Sequence, residues 1–507
     1  MERVEAKRRD FLRWLAVAGA GLAAAGVAPA VFAQEAAAAG SDVVVVLGAT
    51  VVDGTDSEPV PHSAVVLVGD RIAWTGPAAD LPPLSGGVRV VDGRGRYLVP
   101  GLWDLHTHGL DYETIFPPLY LANGVTGIRE MWGYAENRAV RDKIVRGELA
   151  GPRVVMGSSI IDGPVSLLAP PVTQVATAEE ARAAVRTAEA EGADFVKVYS
   201  YLGEEAFAAI ADECRRAGLP FAGHWPYRVS QPVASDAGQR SFEHLFGVPV
   251  YTSARRDEFL ATLAATPFDP AHPRDFFTLA RELDRQATEA YSPWRAREFF
   301  GRLIHNGTRL TPTMVVNRVM CSPADTFAHD PRLKYVPRAV RDVWAEQLRT
   351  RTPVTPEEIA QQDAYFHAQV ELAGAAHRAG VALLGGTDCL NPYVFPGFSL
   401  HDELDHLVEA GLSPHRALQV VTRDAAAFLG RAATAGTITP GKVADLVLLD
   451  ANPVADIRAV RRIDTVIAAG RVFGRAALDR MLAGVEAAAD TTVNARSATG
   501  LAMHSCC

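Results

Sequence analysis

Apolar residues form short, strand-like runs at both flanks of the chain, between residues 42 and 99 and again between 432 and 475. The clearest of these runs is Val43-Val44-Val45-Val46-Leu47, and Gly69-Asp70 marks a tight turn between two later ones. Both flanks have this pattern of short apolar runs, and one long middle segment lies between them. We therefore predict that they combine into a small composite β-sandwich domain.

The middle segment, residues 100–431, alternates strand-like runs with helical spacing. One predicted helix follows a capping box, Thr177-Ala178-Glu179-Glu180, and another, over 204–217, stops at Gly218. Eight strand–helix units are typical of an α/β fold of the (β/α)8 type, a TIM barrel. The alternative is an open doubly wound sheet, but no Gly-x-Gly-x-x-Gly opens a helix after the first strand. The eight strand-like runs lie at about 99–106, 124–129, 153–158, 193–199, 219–224, 240–245, 308–314 and 381–387.

Two connections in this segment are long, at about 250–305 and 315–378. Each follows a strand, so in a barrel each would lie on the catalytic face. They contain helical patterns over 275–290 and 356–379. Lids over a substrate are one interpretation. Peripheral packing or an oligomer contact is the other.

The N-terminus, residues 1–33, has the pattern of a targeting segment. Lys7-Arg8-Arg9-Asp10-Phe11-Leu12-Arg13 resembles the twin-arginine export signature, and Val31-Phe32-Ala33 offers small residues for cleavage. We predict export by the twin-arginine machinery to the periplasm or the extracellular space. An uncleaved membrane anchor is the alternative, since about 20 residues can span a bilayer.

Charge and cysteine content exclude some classes of function. The net charge of −9 argues against a nucleic-acid partner. The five cysteines are scattered and odd in number, so they do not form a disulfide framework. Residues 476–507 are predicted to be a C-terminal tail, and its His504-Ser505-Cys506-Cys507 end is not expected to matter.

The first predicted strand of the barrel ends in His106-Thr107-His108. Side chains alternate with period two along a strand, so both imidazoles point to the same side. Two histidines at one strand end make half of a metal site. Two surface histidines are the plainer interpretation of this motif alone.

Four later residues favour a metal site over two surface histidines, because each lies in or just after an apolar run. These residues are Lys197, His224, His244 and Asp388. In a parallel barrel all of these strand ends face one mouth. A lysine inside an apolar strand is costly unless its charge is paired or removed. Lys197 is either a snorkelling or salt-bridged lysine, or it reacts with CO₂ to a carbamate that can bridge two metal ions. Tyr199 lies on the same face and could hydrogen-bond a substrate oxygen.

These motifs resemble the amidohydrolase superfamily, in its imidazolonepropionase-related or prolidase-like branch, over about residues 42–475. The resemblance implies that His106, His108 and Asp388 hold one metal, and that His224 and His244 hold a second. It also implies that carbamylated Lys197 bridges the two. The motifs that carry it are Val99–His108, Lys197-Val198-Tyr199, Gly223-His224, Glu243-His244-Leu245, Gly386-Thr387-Asp388, Ser413-Pro414 with Ala417-Leu418, and Pro440–Leu446.

Histidine and carboxylate ligands suit Zn²⁺, with Mn²⁺, Co²⁺ or Fe²⁺ as alternatives. The implied reaction is hydrolysis of an amide, peptide or cyclic amide C–N bond by metal-activated hydroxide, with Asp388 moving the proton. We expect a small molecule or short peptide as substrate, and the resemblance also implies a homo-oligomer. Two other hypotheses stay open: a mononuclear deaminase or ring hydrolase with unmodified Lys197, and an inactive extracytoplasmic binding protein.

Overall fold

The computed structural model describes residues 43–84, 87–168 and 170–491. The predicted export segment, residues 1–33, and the Cys506-Cys507 end lie outside the described residues. In the part of the chain that the structure describes, every helix is too short or too polar to cross a bilayer.

The strands belong to one mixed sheet and two parallel sheets. Within the described residues they are β1 (Val43–Val51), β2 (Val60–Val68), β3 (Arg71–Pro77), β4 (Val88–Asp92), β5 (Tyr97–Pro100), β6 (Leu102–Thr107), β7 (Val125–Glu130), β8 (Arg153–Met156), β9 (Ile161–Asp162), β10 (Thr173–Gln174), β11 (Val196–Val198), β12 (Phe221–Gly223), β13 (Gln239–Glu243), β14 (Arg309–Thr311), β15 (Leu446–Leu449), β16 (Ile463–Ala468) and β17 (Arg471–Gly474).

The mixed sheet joins the two flanks of the chain in the order β17-β16-β15-β5-β1-β2-β3, with β4 also paired to β1. The junction is the antiparallel pair of β15 and β5, in which Leu448 lies opposite Leu98. Val44 and Val46 of β1 pack into one hydrophobic cluster, and Val43 and Val45 pack into another. Because β1 is buried on both faces, its sequence is a continuous valine run without polar alternation.

The two parallel sheets have the orders β6-β7-β8 and β10-β9-β11-β12-β13-β14. Backbone contacts continue from one sheet to the other: Gly157 bridges Phe195, and Leu310 bridges Leu383. The Leu105 amide then donates to the Gly385 carbonyl at 2.9 Å. The architecture is a mixed α/β fold, and closure of the strands into one (β/α)8 barrel stays a prediction.

Seven of the eight predicted strand-like runs contain a parallel strand, and the eighth does not. Residues 381–387 form only the isolated bridge at Leu383. The Gly385-Gly386 pair and the turn at Asp388, with φ of 60°, prevent a regular ladder there. The prediction of a strand over this run was therefore wrong in its regularity.

Helices fill the connections between strands, and the predicted start and stop signals are confirmed. Thr177 and Glu180 form the capping box of α3, and Gly218, with φ of 69°, ends α4. In chain order the helices of the described residues are α1 (Phe116–Ala122), α2 (Ala135–Val145), α3 (Ala178–Ala190), α4 (Glu204–Ala217), α5 (Gln231–Asp236), α6 (Val248–Tyr251), α7 (Arg256–Ala265), α8 (Pro273–Thr288), α9 (Pro293–Asn306), α10 (Met314–Met320), α11 (Arg338–Arg351), α12 (Pro356–Ala379), α13 (Phe398–Glu409), α14 (Pro414–Val420), α15 (Arg423–Phe428) and α16 (Arg475–Thr491), with 3-10 turns at Ala78–Asp80, Pro331–Tyr335 and Ile457–Arg461.

The two long connections are helical. Residues 250–305 hold α7, α8 and most of α9, and 315–378 hold most of α10 together with α11 and most of α12. The predicted helix over 356–379 is α12, and the one over 275–290 is α8, which begins and ends two residues earlier.

The C-terminal tail prediction needs correction in its first half. Residues 475–491 form helix α16, which buries Leu478, Val485 and Ala489 against the body of the molecule. These apolar residues are spaced for one helix face.

Candidate metal centre

The six predicted ligands are buried in the interior of the fold. His106 lies on β6 and His108 just beyond it, while Lys197 is the central residue of β11. His224 follows β12 directly, and His244 follows β13. These parallel strands therefore deliver their side chains to one end of the sheets, together with Asp388 from the turn after Gly386-Thr387.

His106, His108 and Asp388 form the tightest part of the cluster. One ligand atom from each of the three lies within 4.8 Å of the others. Asp388 Oδ1 is 3.3 Å from His106 Nε2 and 3.2 Å from His108 Nε2. Ligand atoms bound about 2.0–2.1 Å from a tetrahedral Zn²⁺ are separated from one another by about 3.3 Å. The spacing therefore fits a shared divalent ion.

His224 and His244 form the second part. Their Nε2 atoms are 3.0 Å apart, and His244 Nδ1 is 3.8 Å from Asp388 Oδ2. The imidazole rings of His106 and His244 have centroids 4.7 Å apart, so the two parts are adjacent. Two imidazoles with facing Nε2 atoms at this spacing have the geometry of a ligand pair.

Three of the histidines are oriented by a partner on Nδ1. His106 Nδ1 is 2.9 Å from Glu243 Oε2, His224 Nδ1 is 3.0 Å from Ser200 Oγ, and His244 Nδ1 is 2.8 Å from Thr313 Oγ1. Each Nε2 is thereby turned toward the cluster. His106 Nε2 is buried and forms no hydrogen bond within the described ranges. A buried polar atom of this kind is expected of a ligand whose ion supplies the missing interaction.

Sequence reasoning missed these orienting residues. Glu243 was noted only as part of a motif, and Ser200 and Thr313 were not singled out. The available signal for Glu243 was a carboxylate inside an otherwise apolar strand, directly before His244. Ser200 and Thr313 carry no such signal because hydroxyl residues are common at strand ends.

Glu243 is held by a buried arginine. Arg129 Nη2 donates to Glu243 Oε1 at 3.0 Å, and both side chains are almost fully enclosed. Burial alone would raise the pKa of Glu243, but the Arg129 guanidinium and the hydrogen bond from His106 hold it well below the usual range. Glu243 is therefore ionised and can fix the Nδ1–H tautomer of His106.

Three of the histidines, His106, His224 and His244, are held neutral, which is the form that binds metal. Burial and, second to it, the nearby Lys197 ammonium group lower the pKa of His106 to about 4. Burial, with the Lys197 ammonium as another contributor, also holds the pKa values of His224 and His244 well below the usual range. The Lys197 ammonium group therefore lies close enough to lower the pKa of three of the predicted ligands.

The turn that carries Asp388 is pinned to β6. Asp104 Oδ1 accepts the Thr387 amide at 3.0 Å and the His106 amide at 3.2 Å, and Asp104 Oδ2 accepts the Thr387 hydroxyl at 2.7 Å. One buried carboxyl therefore ties the segment of Asp388 to the segment of His106. This fixes two predicted ligands relative to each other before any ion binds.

Backbone strain is concentrated in this centre. His244, Thr313 and Asp388 all have positive φ, at 65°, 47° and 60°. Such conformations cost of order 1–3 kcal/mol each for residues other than glycine and are maintained where the surrounding structure over-determines them. Two predicted ligands and one orienting residue therefore have strained backbone, as is common at functional sites.

Tyr199, predicted to contact substrate, stacks on His224 with ring centroids 4.1 Å apart. Its position beside the cluster agrees with the predicted role, which stays a prediction. Cys389 lies next to Asp388, and its buried Sγ is 2.8 Å from the Tyr120 hydroxyl.

A mixed α/β fold with parallel strand ends that converge on a histidine–carboxylate cluster defines a candidate metallohydrolase centre. Residues 330–473 match the family model described as the amidohydrolase family. The matched range includes Asp388 but none of the other predicted ligands. Together with the structural neighbours below, this match supports the amidohydrolase superfamily.

Several solved structures share the fold. A bottromycin amidohydrolase is 24% identical, with a TM-score of 0.68, over 92% of this chain and 94% of its own. A Xaa-Pro dipeptidase is 18% identical, with a TM-score of 0.60, over 85% of this chain and 100% of its own. An ochratoxinase of A. niger is 20% identical, with a TM-score of 0.58, over 86% and 96%. At these identities the likeness shows the fold.

Among curated proteins, the imidazolonepropionase of Yersinia pestis (strain Pestoides F) is 42% identical over 55 residues. The matched segment is 11% of this chain and 13% of that relative, so the chain matches a small part of the relative's length. The comparisons therefore give an amidohydrolase family match over residues 330–473, within a fold that the structural neighbours share over most of the chain.

Proposed function

We propose that this protein is a metal-dependent hydrolase of an amide, peptide or cyclic amide C–N bond. The observation that carries the proposal is the buried set His106, His108 and Asp388, with ligand atoms spaced for one divalent ion. The amidohydrolase family match and the fold of the structural neighbours support the same class.

We further propose that the two parallel sheets form one (β/α)8 barrel with the metal centre at its mouth. The backbone bridges Gly157–Phe195 and Leu310–Leu383 join the sheets, and the Leu105 amide donates to Gly385 on the other side. Each contact links strands that are neighbours in such a barrel.

The proposed centre is binuclear, with His224 and His244 as ligands of a second ion and carbamylated Lys197 between the two ions. Support comes from the 3.0 Å spacing of the two Nε2 atoms and from the complete burial of Lys197. Histidine and carboxylate ligands favour Zn²⁺, with Mn²⁺, Co²⁺ or Fe²⁺ as alternatives.

When bound, the metal lowers the pKa of a water molecule and polarises the carbonyl of the scissile bond. The protein's own part in the reaction is the placement of groups around that bond. Asp388 is positioned to accept the proton of the attacking water through its carboxylate and to pass it to the leaving nitrogen. Tyr199, stacked on His224, is proposed to donate its hydroxyl hydrogen to a substrate oxygen.

The first test is the metal content per protomer of purified protein, with the intact mass measured under native conditions in the presence of CO₂. Two ions and a mass excess of one CO₂ are expected. The Lys197→Ala variant should lose at least one ion, and short carboxylic acids should restore it in part by replacing the carbamate. Lys334→Ala, which removes a half-exposed lysine elsewhere, is the matched control. Unchanged metal content in Lys197→Ala would reject the carbamate.

A second variant, at Asp388, tests the proposed role of this residue in proton transfer. Asp388→Asn should retain the fold but lose several orders of magnitude in turnover of C–N substrates, because the proton acceptor is removed. Turnover close to wild type would remove Asp388 from the proposed mechanism.

The second candidate function is that of a mononuclear deaminase or ring hydrolase. It is favoured by the tight grouping of His106, His108 and Asp388, which by themselves suffice for one ion. One ion per protomer, with no CO₂ adduct, would support this function over the binuclear one.

We also propose that the protein is exported by the twin-arginine pathway, which fits a metalloenzyme that folds before export.

A further inference from the structure

Backbone strain continues beyond Asp388 into the segment that follows it. Asp388, Leu390 and Tyr393 have positive φ, at 60°, 88° and 56°. Positive φ is uncommon for residues other than glycine, and for a bulky residue such as Leu390 it is an outlier. Such backbone is maintained where the surrounding structure over-determines it. The contacts of this segment therefore include those that hold Asp388 in place.

Asn391 is one residue that holds the Asp388 carboxylate. Its side-chain Nδ2 donates to Asp388 Oδ2 at 2.7 Å and to the Asp388 carbonyl at 2.9 Å. Asp388 Oδ1 is the oxygen that lies 3.3 Å from His106 Nε2 and 3.2 Å from His108 Nε2. The Asn391 amide therefore occupies one carboxylate oxygen and leaves the other turned toward the two histidines.

The long connection over 315–378 holds Asn391 in turn. The indole Nε1 of Trp344, on α11, donates to the Leu390 carbonyl at 3.1 Å. That carbonyl belongs to the planar peptide group between Leu390 and Asn391, so the hydrogen bond fixes the backbone from which the Asn391 side chain extends. Trp344 and Leu390 are both buried, so water does not readily replace the indole as the donor.

The ring of Trp344 also packs along this segment. Its centroid is 5.8 Å from that of Tyr393 and 5.8 Å from that of Phe395. Trp344 and Leu390 line one small apolar pocket, to which Val340 of α11 also contributes. Packing of this kind can hold α11 in place without any effect on the metal centre. The hydrogen bond differs, because it acts on the peptide group next to the residue that orients Asp388.

We propose that Trp344 is a positioning residue for Asp388. It acts through the Leu390 carbonyl and the Asn391 amide, which hold the carboxylate in the orientation that binds metal. The proposal rests on the proposed metal-dependent function, since it takes Asp388 as a ligand. Metal binding and the position of α11 are then coupled, and such coupling is reciprocal. Loss of the indole donor weakens metal binding, and bound metal holds α11 more tightly.

Co²⁺ binding tests the proposal without a substrate. Metal-free protein is titrated with Co²⁺ against a chelator, and the visible absorption of the bound ion reports the geometry of its ligands. Trp344→Phe keeps an aromatic ring but lacks the N–H donor. Its Co²⁺ affinity should fall about 2- to 10-fold, the range of one neutral hydrogen bond, and its absorption should shift. Asn391→Leu removes the direct donor to Asp388 and should lower the affinity about 10- to 100-fold.

Val340→Ala is the matched control. It removes packing from the same pocket but keeps the Trp344 indole, so it should lower the free energy of unfolding without a change in Co²⁺ affinity or absorption. A double variant with Trp344→Phe and Asn391→Leu shows whether Trp344 acts through Asn391. Its Co²⁺ affinity should then equal that of Asn391→Leu alone, because the two losses share one route.

Reciprocity provides a second measurement, on the protein without substitutions. Addition of Zn²⁺ should slow amide hydrogen exchange over 338–351, the residues of α11, and the effect should be smaller in Trp344→Phe. Helix α3 is the internal reference and should change less than α11. Exchange in α11 that does not respond to Zn²⁺ would contradict the coupling.

The outcomes separate this proposal from the proposed function. Wild-type Co²⁺ affinity and absorption in Trp344→Phe, or two losses that simply add in the double variant, overturn the role of Trp344 and leave the metal-dependent function standing. Equal losses in Trp344→Phe and Val340→Ala also overturn it, since packing alone would explain both. Absence of Co²⁺ binding by wild type rejects the metal-dependent function and this proposal with it. A loss specific to Trp344→Phe, with no amide hydrolysis by metal-loaded wild type, supports the positioning role and rejects the hydrolase.

Discussion

At the scale of single residues, the sequence predicts candidate ligands but not the groups that orient them. His106, His108, His224 and His244 are predicted as ligands because each ends an apolar run, and strand ends meet in space when strands are parallel. Glu243 has the same local pattern, yet its role depends on His106, a residue 137 positions away. Arg129, which holds Glu243, comes from a third strand. Such contacts exist only after the sheet has formed, so no local pattern encodes them.

Replacement of Glu243 should therefore weaken metal binding although Glu243 is not itself a proposed ligand. In Glu243→Gln the His106 ring loses its ionised acceptor, and Arg129 is left as a buried charge without a counter-ion. We expect metal affinity, measured by competition with a chelator, to fall about 10- to 100-fold. Glu148→Gln breaks an exposed arginine pair and serves as the control. Equal metal affinity in both variants would show that Glu243 has only a structural role.

At the scale of elements, helix boundaries were predictable and the last of the eight predicted strands was not. Thr177 and Gly218 act through their own backbone neighbourhood, so the cap and the stop can be predicted from a few residues. The run over 381–387 has the composition of a strand, but its conformation is set by close approach. A Cβ at Gly386 would lie 2.8 Å from both His106 Cβ and Thr311 Cγ2. Two neighbouring segments, not the run itself, determine the shape there.

Two glycine-to-alanine substitutions test this difference. Gly386→Ala must displace His106 or Thr311 and should lower the free energy of unfolding by about 1–3 kcal/mol, as overpacking does. It should also reduce metal content, because His106 and Asp388 flank the displaced backbone. Gly301 lies within α9. Apart from this helix's own backbone, no atom of the described residues is within 4 Å of the methyl group added in Gly301→Ala, so this variant should be more stable by about 0.5–1 kcal/mol. Denaturant unfolding measures both, and equal effects would contradict this account.

At the scale of the whole molecule, the flanks were predicted to meet, and the β15–β5 pair shows that they do. The sequence does not show how burial in the interior of the fold changes the pKa values of the carboxyl groups there. Burial raises the pKa of Asp162 to about 7 and that of Glu403 to about 8. Carboxyl groups appear in a sequence as charges, but in the fold these two keep their protons to a higher pH than an exposed carboxyl group does. Only the packing of distant elements determines that protonation.

Glu403 provides the clearest test of how a raised pKa of a buried carboxyl group affects stability. It lies on α13, and its carboxyl accepts the Val315 amide of α10 at 2.8 Å. Because its pKa is about 8 in the fold and near 4.5 in the unfolded chain, the folded state binds more protons between these values. Stability contributed by this group is therefore present at low pH and is lost as the pH rises from about 4.5 through 8.

Glu403→Gln keeps the shape and the acceptor oxygen but cannot ionise. The variant should lose less stability than wild type between pH 5.5 and 8.5, because one buried ionisation has been removed. Denaturant unfolding at both pH values gives the two differences, and titrations elsewhere in the molecule cancel in the comparison. Identical pH dependence in wild type and variant would show that Glu403 ionises in the fold as easily as in the unfolded chain. In that case the α10–α13 contact would be open to water, and the enclosed interior derived from the packing would be wrong at that point.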